Sequence, residues 1–297
     1  MAARMRALKF GTDLWDPSHR FETSWILKPW VLFGCRATIS LYAFTTTFFI
    51  IGWEATNHDG MSIHDVHRSF SFFTILCYWG TSFYFLVSAL HTFTYAIHGG
   101  TPLLNRFPRP LQALHYLFYT TITTFPFLVT IVFWAILYSS FSTRFALWSN
   151  VSQHALNSVF GLFELLFSRI NPSPWIHLLW LVILLACYLG VAYITYATKH
   201  YYVYSFLNPN PTKDVIVNGV KTNEGGVGKG AVAGYIIGIA VAIVIIFCLS
   251  KGLQWLRKWV TERKLGMEGK FYAGRRMGNG EVELETVRVW EKGPGEV

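Results

Sequence analysis

The chain has 297 residues, of which 53 % are hydrophobic and only 14 % charged, with a formal net charge of +9. A soluble domain carries about 25 % charged residues, so this composition excludes an ordinary globular enzyme and points to a membrane. The four cysteines, Cys35, Cys77, Cys187 and Cys248, all sit in apolar runs, which excludes a disulfide framework in the loops and a cysteine-type metal spacing.

Residues 1–30 form a mixed, polar N-terminal segment. The first apolar run after them is full-length rather than a short signal core, so it reads as a signal-anchor. Six runs are long enough to cross a bilayer, which takes about 20 residues: 31–53, 70–93, 113–138, 145–168, 176–198 and 231–250. The expected fold is therefore all-α, a polytopic membrane protein with a six-helix transmembrane domain over 31–250. Arg36 lies about two turns inside the first run, where it is expected to snorkel to the interface.

The loop 54–69 holds His58, Asp59, His64, Asp65 and His67. Their spacing permits a metal site, but a solvated loop is the simpler reading, and no metal is expected. Pro126 should kink the third run. Residues 171–175 read as a tight turn and 199–230 as a polar loop. Gly225 to Gly230 faintly resembles a phosphate loop, but no Ser or Thr follows Lys229, and nucleotide binding is not expected.

In the sixth run Gly230, Gly234, Gly238 and Ala242 repeat every fourth position. Such a stripe suits close helix packing, within the chain or in a homo-oligomer. Beyond it, Lys251, Arg257, Lys258, Arg263 and Lys264 alternate with Trp255 and Trp259. This juxtamembrane stretch is expected to lie against anionic lipid headgroups, followed by a disordered tail from 266 to 297.

With six spans both termini share one side. That side carries most of the 25 Lys and Arg residues, so both termini are expected in the cytosol. The net charge then reads as membrane topology, and no nucleic-acid partner is expected. An endoplasmic reticulum or plasma membrane location follows from this class.

The fourth run carries Asn150, Gln153, His154, Asn157 and Glu164. Their spacing places all five on one helix face. Polar groups exposed to lipid are costly, so this face should turn to a protein interior or a watery cavity. A buried neutral imidazole at His154 suits a general base; it equally suits a histidine that only bonds between helices. A base needs a nucleophile. The span threonines are Thr74, Thr81, Thr92, Thr120, Thr121, Thr123 and Thr124. Thr74 falls in the same bilayer half as His154, whereas Thr92 lies at the opposite interface. His91 and His115 approach the cytosolic side, an arrangement a two-histidine haem would need; no cofactor is expected.

Phe72-Phe73-Thr74, Trp148-Ser149-Asn150 with His154 four residues on, and Tyr202-Val203-Tyr204-Ser205-Phe206-Leu207 together resemble the androgen-induced-gene (FAR-17a-like) multi-span membrane protein family, in its fungal-type branch. Val151 stands where that family has the first histidine of a pair, and loop 199–230 is longer. The resemblance implies six spans and hydrolysis of fatty acid esters of hydroxy fatty acids. It implies Thr74 as nucleophile and His154 as the essential histidine. Asn150, Gln153 and Asn157 are then candidates to orient His154 or to bind the oxyanion, while Glu164 lies too deep for either. The expected function is an intramembrane lipid ester hydrolase acting on a membrane lipid. The alternative is a non-enzymatic lipid-binding or transport protein whose polar face lines a pathway.

Overall fold

The computed structural model describes residues 15–56, 60, 62–98, 102–138, 140–210, 213–217 and 220–267. It is helical apart from one antiparallel hairpin, β1 (Lys213–Val217) and β2 (Val220–Glu224), which falls inside the stretch expected to be a plain loop. Readings that rest on His58, Asp59 and the tail from 268 lie outside the described residues.

The helices are α1 (Pro29–Ala55), the short α2 (Ile63–Ser69), α3 (Phe73–His98), α4 (Arg109–Ile122), α5 (Phe125–Val132), α6 (Arg144–Val151), α7 (Asn157–Phe167), α8 (Ile176–Lys199) and α9 (Lys229–Lys258). Five helical stretches are long and apolar enough to cross a membrane: Pro29–Ala55, Phe73–His98, Arg109–Leu137, Ile176–Lys199 and Lys229–Lys264. The fourth sequence run is also helical without a break over 144–167. Its polar residues keep it outside that apolar class.

Three π-helical turns interrupt the regular helices. They are Phe133–Leu137 after α5, Ser152–Leu156 between α6 and α7, and Trp259–Lys264 after α9. A π turn widens the helix by one residue and shifts the phase of everything beyond it. The turn at 152–156 brings Ser152, Gln153, His154, Asn157 and Glu164 inward, with Asn150 only half-buried. It also releases a carbonyl from the regular ladder. Thr130 from α5 donates to the His154 carbonyl and pairs with Ser158 at 2.6 Å, so the freed acceptor is satisfied. Pro126 acts as expected, opening α5 where the chain breaks at Thr123 and Thr124.

The second apolar run begins later than its composition suggests. Ser62 and Asp65 form a capping box on α2, and Asp65 accepts the Ser62 N–H at 2.9 Å. Asp65 is thereby occupied in a helix cap. The chain then turns through Ser71 and Phe72, and α3 starts at Phe73, making Thr74 its second residue.

The described part of the N-terminal segment, residues 15–28, packs on the bundle. Trp25 Nε1 donates to the Leu166 carbonyl at 2.7 Å, and the Arg169 N–H donates to the Thr23 carbonyl at 3.2 Å. Phe21 joins Tyr84, Phe85, Leu104, Tyr119, Ile122 and Ile170 in one apolar core. Arg20 pairs with Glu262 at 2.5 Å, so the segment before α1 and the end of α9 meet at one end of the bundle.

Arg36 does not snorkel. It is fully buried and forks onto Glu164, also fully buried. Nε donates to Glu164 Oε2 at 3.2 Å and Nη2 donates to Oε1. Nη1 donates to the Phe21 carbonyl at 2.8 Å and Thr92 Oγ1 at 2.6 Å. Tyr84 adds a donor to Glu164 at 3.1 Å. A guanidinium presents the planar set of donors that such a site consumes, and an inward route to a carboxylate wins over a route to the interface.

The basic stretch after α9 is also partly internal. Arg257 is buried and donates to the carbonyls of Leu165, at 2.9 Å, and Ile170. Lys251 reaches the Ser173 carbonyl at 2.5 Å and Lys258 reaches Asn171 Oδ1 at 2.7 Å. The two lysines anchor the turn at 171–175, and Arg257 anchors the chain just before it. Along α9, a Cβ placed on Gly230, Gly234 or Gly238 would meet nothing within 4 Å among the described residues, whereas Ala242 lies against the core of Ile243, Ile246 and Phe247.

Candidate functional site

The site is best built from the start of α3. The first N–H groups of a helix have no partner within it. Here they are met by phenols. The Phe73 N–H donates to the Tyr188 hydroxyl at 3.0 Å and to the Tyr204 hydroxyl at 3.1 Å. The Tyr188 hydroxyl donates in turn to the Ser71 carbonyl at 2.9 Å. The Tyr204 oxygen also meets the backbone N–H and the side-chain hydroxyl of Thr74. Burial, the largest influence on it, pushes the Tyr204 phenol above its ordinary value, so it stays protonated and able to donate.

The segment carrying Tyr204 is held firmly against this helix start. Tyr201 donates to Ser71 Oγ at 3.3 Å and lies under the Arg68 guanidinium at 4.4 Å. Tyr204 stacks on Phe206, with ring centroids 5.0 Å apart. Val203, Phe206 and Leu207 are buried with Ala192 of α8. Thr74 thus receives its neighbours from a loop 130 residues away in sequence.

Thr74 itself is nearly buried and lines a cavity of about 200 Å³. The walls come from α3, α5 with its π turn, α8, the 204–207 segment and α9. Among the described lining residues only Thr74, Tyr188 and Tyr204 are polar, and the contacts just given gather all three at the start of α3. The rest of the wall is apolar, including Leu128, Phe133, Leu185 and Ile243. Val182 and Ala186 on α8 and Ala240 on α9 also line it and are exposed, so the cavity opens at the outer surface of α8 and α9.

His154 is buried in the π turn at 152–156. Its ring stacks flat on Phe133, with centroids 3.5 Å apart and planes 6° apart. Phe133 is also a wall of the Thr74 cavity. The two residues singled out from the sequence are therefore connected through one aromatic ring, and no hydrogen bond joins them. Nδ1 of His154 is buried without a partner.

None of the three amides reaches that imidazole. Asn150 Nδ2 donates to the Ala146 carbonyl on its own helix at 2.8 Å. Asn157 accepts from Thr81 Oγ1 at 2.8 Å and approaches Cys77 Sγ at 3.7 Å; it ties α7 to α3. Gln153 is buried without bonding His154. Lying on one helix face does not make them partners of His154, because Asn150 bonds back to its own helix and Asn157 reaches across to α3.

The other threonines have structural partners. Thr120 pairs with His177 Nδ1 at 2.7 Å, and Thr92 receives Arg36. His91 and His115 meet edge to face at 4.9 Å between centroids, a packing that leaves no room for a porphyrin between them. Among the described residues no group of three or more His, Cys, Asp or Glu is placed to hold a metal ion.

Nothing in the local sequence pattern of Tyr204, or of Tyr188, links either residue to Thr74, since both reach the start of α3 from distant segments. Compared with known proteins, the chain matches no family model, no curated protein and no solved structure.

Proposed function

We propose that the protein is an intramembrane lipid ester hydrolase, of the kind implied by its resemblance to the androgen-induced-gene family, with Thr74 as nucleophile. The carrying observation is the cavity: an apolar chamber open to lipid whose polar groups converge on one hydroxyl. An acyl chain enters sideways, its tail filling the chamber and its ester carbonyl stopping at Thr74. Phe133 turns aside as the chain enters and uncovers His154. The Thr74 oxygen bonds to the carbonyl carbon while its proton passes to the imidazole. Collapse breaks the bond to the alcohol oxygen, which takes that proton. Water then releases the acyl group by the same steps in reverse.

Ester hydrolysis by the purified protein, compared with Thr74→Ala and His154→Ala, tests this. Each variant should lose at least about 100-fold in kcat, and the double variant little more, because nucleophile and base act as a unit. Near-normal turnover in either variant would remove that residue from the mechanism.

A second reading is favoured by the missing hydrogen bond between Thr74 and His154: a lipid-binding or transport protein that uses the same chamber without chemistry. Such a carrier should bind lipid equally well as Thr74→Ala and show no turnover in any form.

We further propose six crossings, with the helix over 144–167 as the fourth, and both termini in the cytosol. The Arg20–Glu262 contact supports an even number of crossings. A C-terminal tag protected from protease in sealed, cytosol-side-out vesicles would contradict this orientation. Arg263 and Lys264 are left to face anionic headgroups, in an endoplasmic reticulum or plasma membrane.

A further inference from the structure

We propose that Tyr204 is the hydrogen-bond donor that receives the carbonyl oxygen when Thr74 attacks, a role that rests on the hydrolase reading above.

Counting protons at the start of α3 leads to this assignment. A phenol has one proton to give and two lone pairs to receive. Tyr188 gives its proton to the Ser71 carbonyl at 2.9 Å and receives the Phe73 N–H at 3.0 Å. Its proton is committed to the backbone. Tyr204 receives the Phe73 N–H at 3.1 Å, and the Thr74 N–H also approaches its oxygen. Its own proton goes to no backbone carbonyl. The polar groups beside it are the Thr74 hydroxyl and the Tyr188 oxygen, both on the cavity wall. That proton is the one donor at this pole of the chamber free to turn to an incoming oxygen.

The surroundings suit the task. The Phe73 N–H on the Tyr204 oxygen belongs to the first turn of a long helix, whose N-terminus carries a partial positive charge. It polarises the phenol and strengthens it as a donor. The Phe206 stack and the burial of Val203, Phe206 and Leu207 on either side hold its ring, so little reorganisation is needed as charge develops.

The Thr74 oxygen forms a bond to the carbonyl carbon, and the carbonyl π pair moves onto oxygen. That oxygen accepts the Tyr204 hydrogen bond. The Thr74 proton goes to His154 and returns to the leaving alcohol, while the phenol keeps its proton throughout.

The test uses the full-length protein in detergent, with Tyr204→Phe and Tyr188→Phe. Two readouts are taken: turnover of a lipid ester, and capture of Thr74 by an alkyl fluorophosphonate, located by mass spectrometry. Removing one oxyanion donor costs about 100- to 1000-fold in kcat. Tyr204→Phe should lose that much with KM changed less than about threefold, and Tyr188→Phe should lose less than about tenfold. If Thr74 is captured in the unaltered protein but Tyr204→Phe keeps its kcat within about threefold, Tyr204 is not the donor and the hydrolase reading survives. If Thr74 of the unaltered protein is never captured and no ester is turned over, both fall together. Should Tyr204→Phe fail to insert, Tyr204→3-fluorotyrosine keeps the shape and strengthens the donor. An unchanged kcat in that variant would overturn the assignment.

Discussion

Replacing Arg36 by methionine should destabilise the protein by about 3–5 kcal/mol, the usual cost of stranding one member of a buried ion pair. The structure makes the case severe. Both side chains are fully buried, and Glu164 would keep only the Tyr84 hydroxyl as a side-chain donor. The carbonyl of Phe21 and Thr92 Oγ1 would lose their guanidinium partner as well. Glu164→Met strands the guanidinium instead and should cost a similar amount. The double variant Arg36→Met/Glu164→Met removes both charges and should be more stable than either single variant by at least about 2 kcal/mol. The measurement is unfolding of purified protein in mixed micelles by increasing sodium dodecyl sulfate, followed by tryptophan fluorescence. Single variants that cost less than about 1 kcal/mol, or a double variant that costs their sum, would mean that Arg36 finds water at the interface. The buried pairing would then be discarded.

Three further outcomes are expected. Ala186→Phe narrows the lateral mouth of the cavity, so turnover of a long-chain ester should fall at least about tenfold while a short soluble ester is spared; equal losses on both would place the entrance elsewhere. Thr130→Val leaves the His154 carbonyl without its donor in the π turn and should cost about 1–3 kcal/mol, read by the same unfolding assay; an unchanged midpoint would show that the freed carbonyl finds another donor. In the N-terminal segment, burial pushes His19 down to about 4 with Arg169 adding to the effect, so the docked form excludes a proton that the undocked form binds below pH about 6.5. Docking therefore weakens as pH falls through that window. Asp16 and Glu22 are shifted upward by burial and act with the opposite sign. In Glu22→Gln the largest opposing contribution is gone, and residues 15–28 should lose hydrogen-exchange protection between pH 7 and 5; protection that rises instead would refute the His19 assignment.

Much of the architecture can be read from the chain because bilayer length and hydropathy act locally. The six apolar runs correspond to six helical stretches, and Pro126 marks the break in the third. Thr74 and His154 were legible as residue types at matched depth. The rest depended on distance in sequence or on backbone irregularity. Arg36 reads as a snorkelling cation because its partner lies 128 residues away. Asn150, Gln153 and Asn157 read as a support for His154 from spacing alone, but Asn150 bonds back within its own helix and Asn157 is taken by Thr81 from α3. Tyr204 shows no periodic signal at all, since its importance comes from docking on the start of a helix 130 positions earlier. The polar composition of 15–28 hides its burial, because Arg20 and Trp25 donate to backbone carbonyls and Thr23 receives Arg169.

The Arg36–Glu164 pair also sets an order on biogenesis. Arg36 leaves the ribosome 128 residues before Glu164, an interval of about 6–25 s at ordinary synthesis rates. Through that time α1 carries, about two turns inside its start, a cation without its carboxylate, and drawing such a cation into hydrocarbon is costly. The expected consequence is a first helix held shallow, or sheltered by the insertion machinery, until α7 is made. Its final depth is set by a residue not yet translated when it enters the membrane, and chains cut short before Glu164 are left with a helix that lacks its reason to stay.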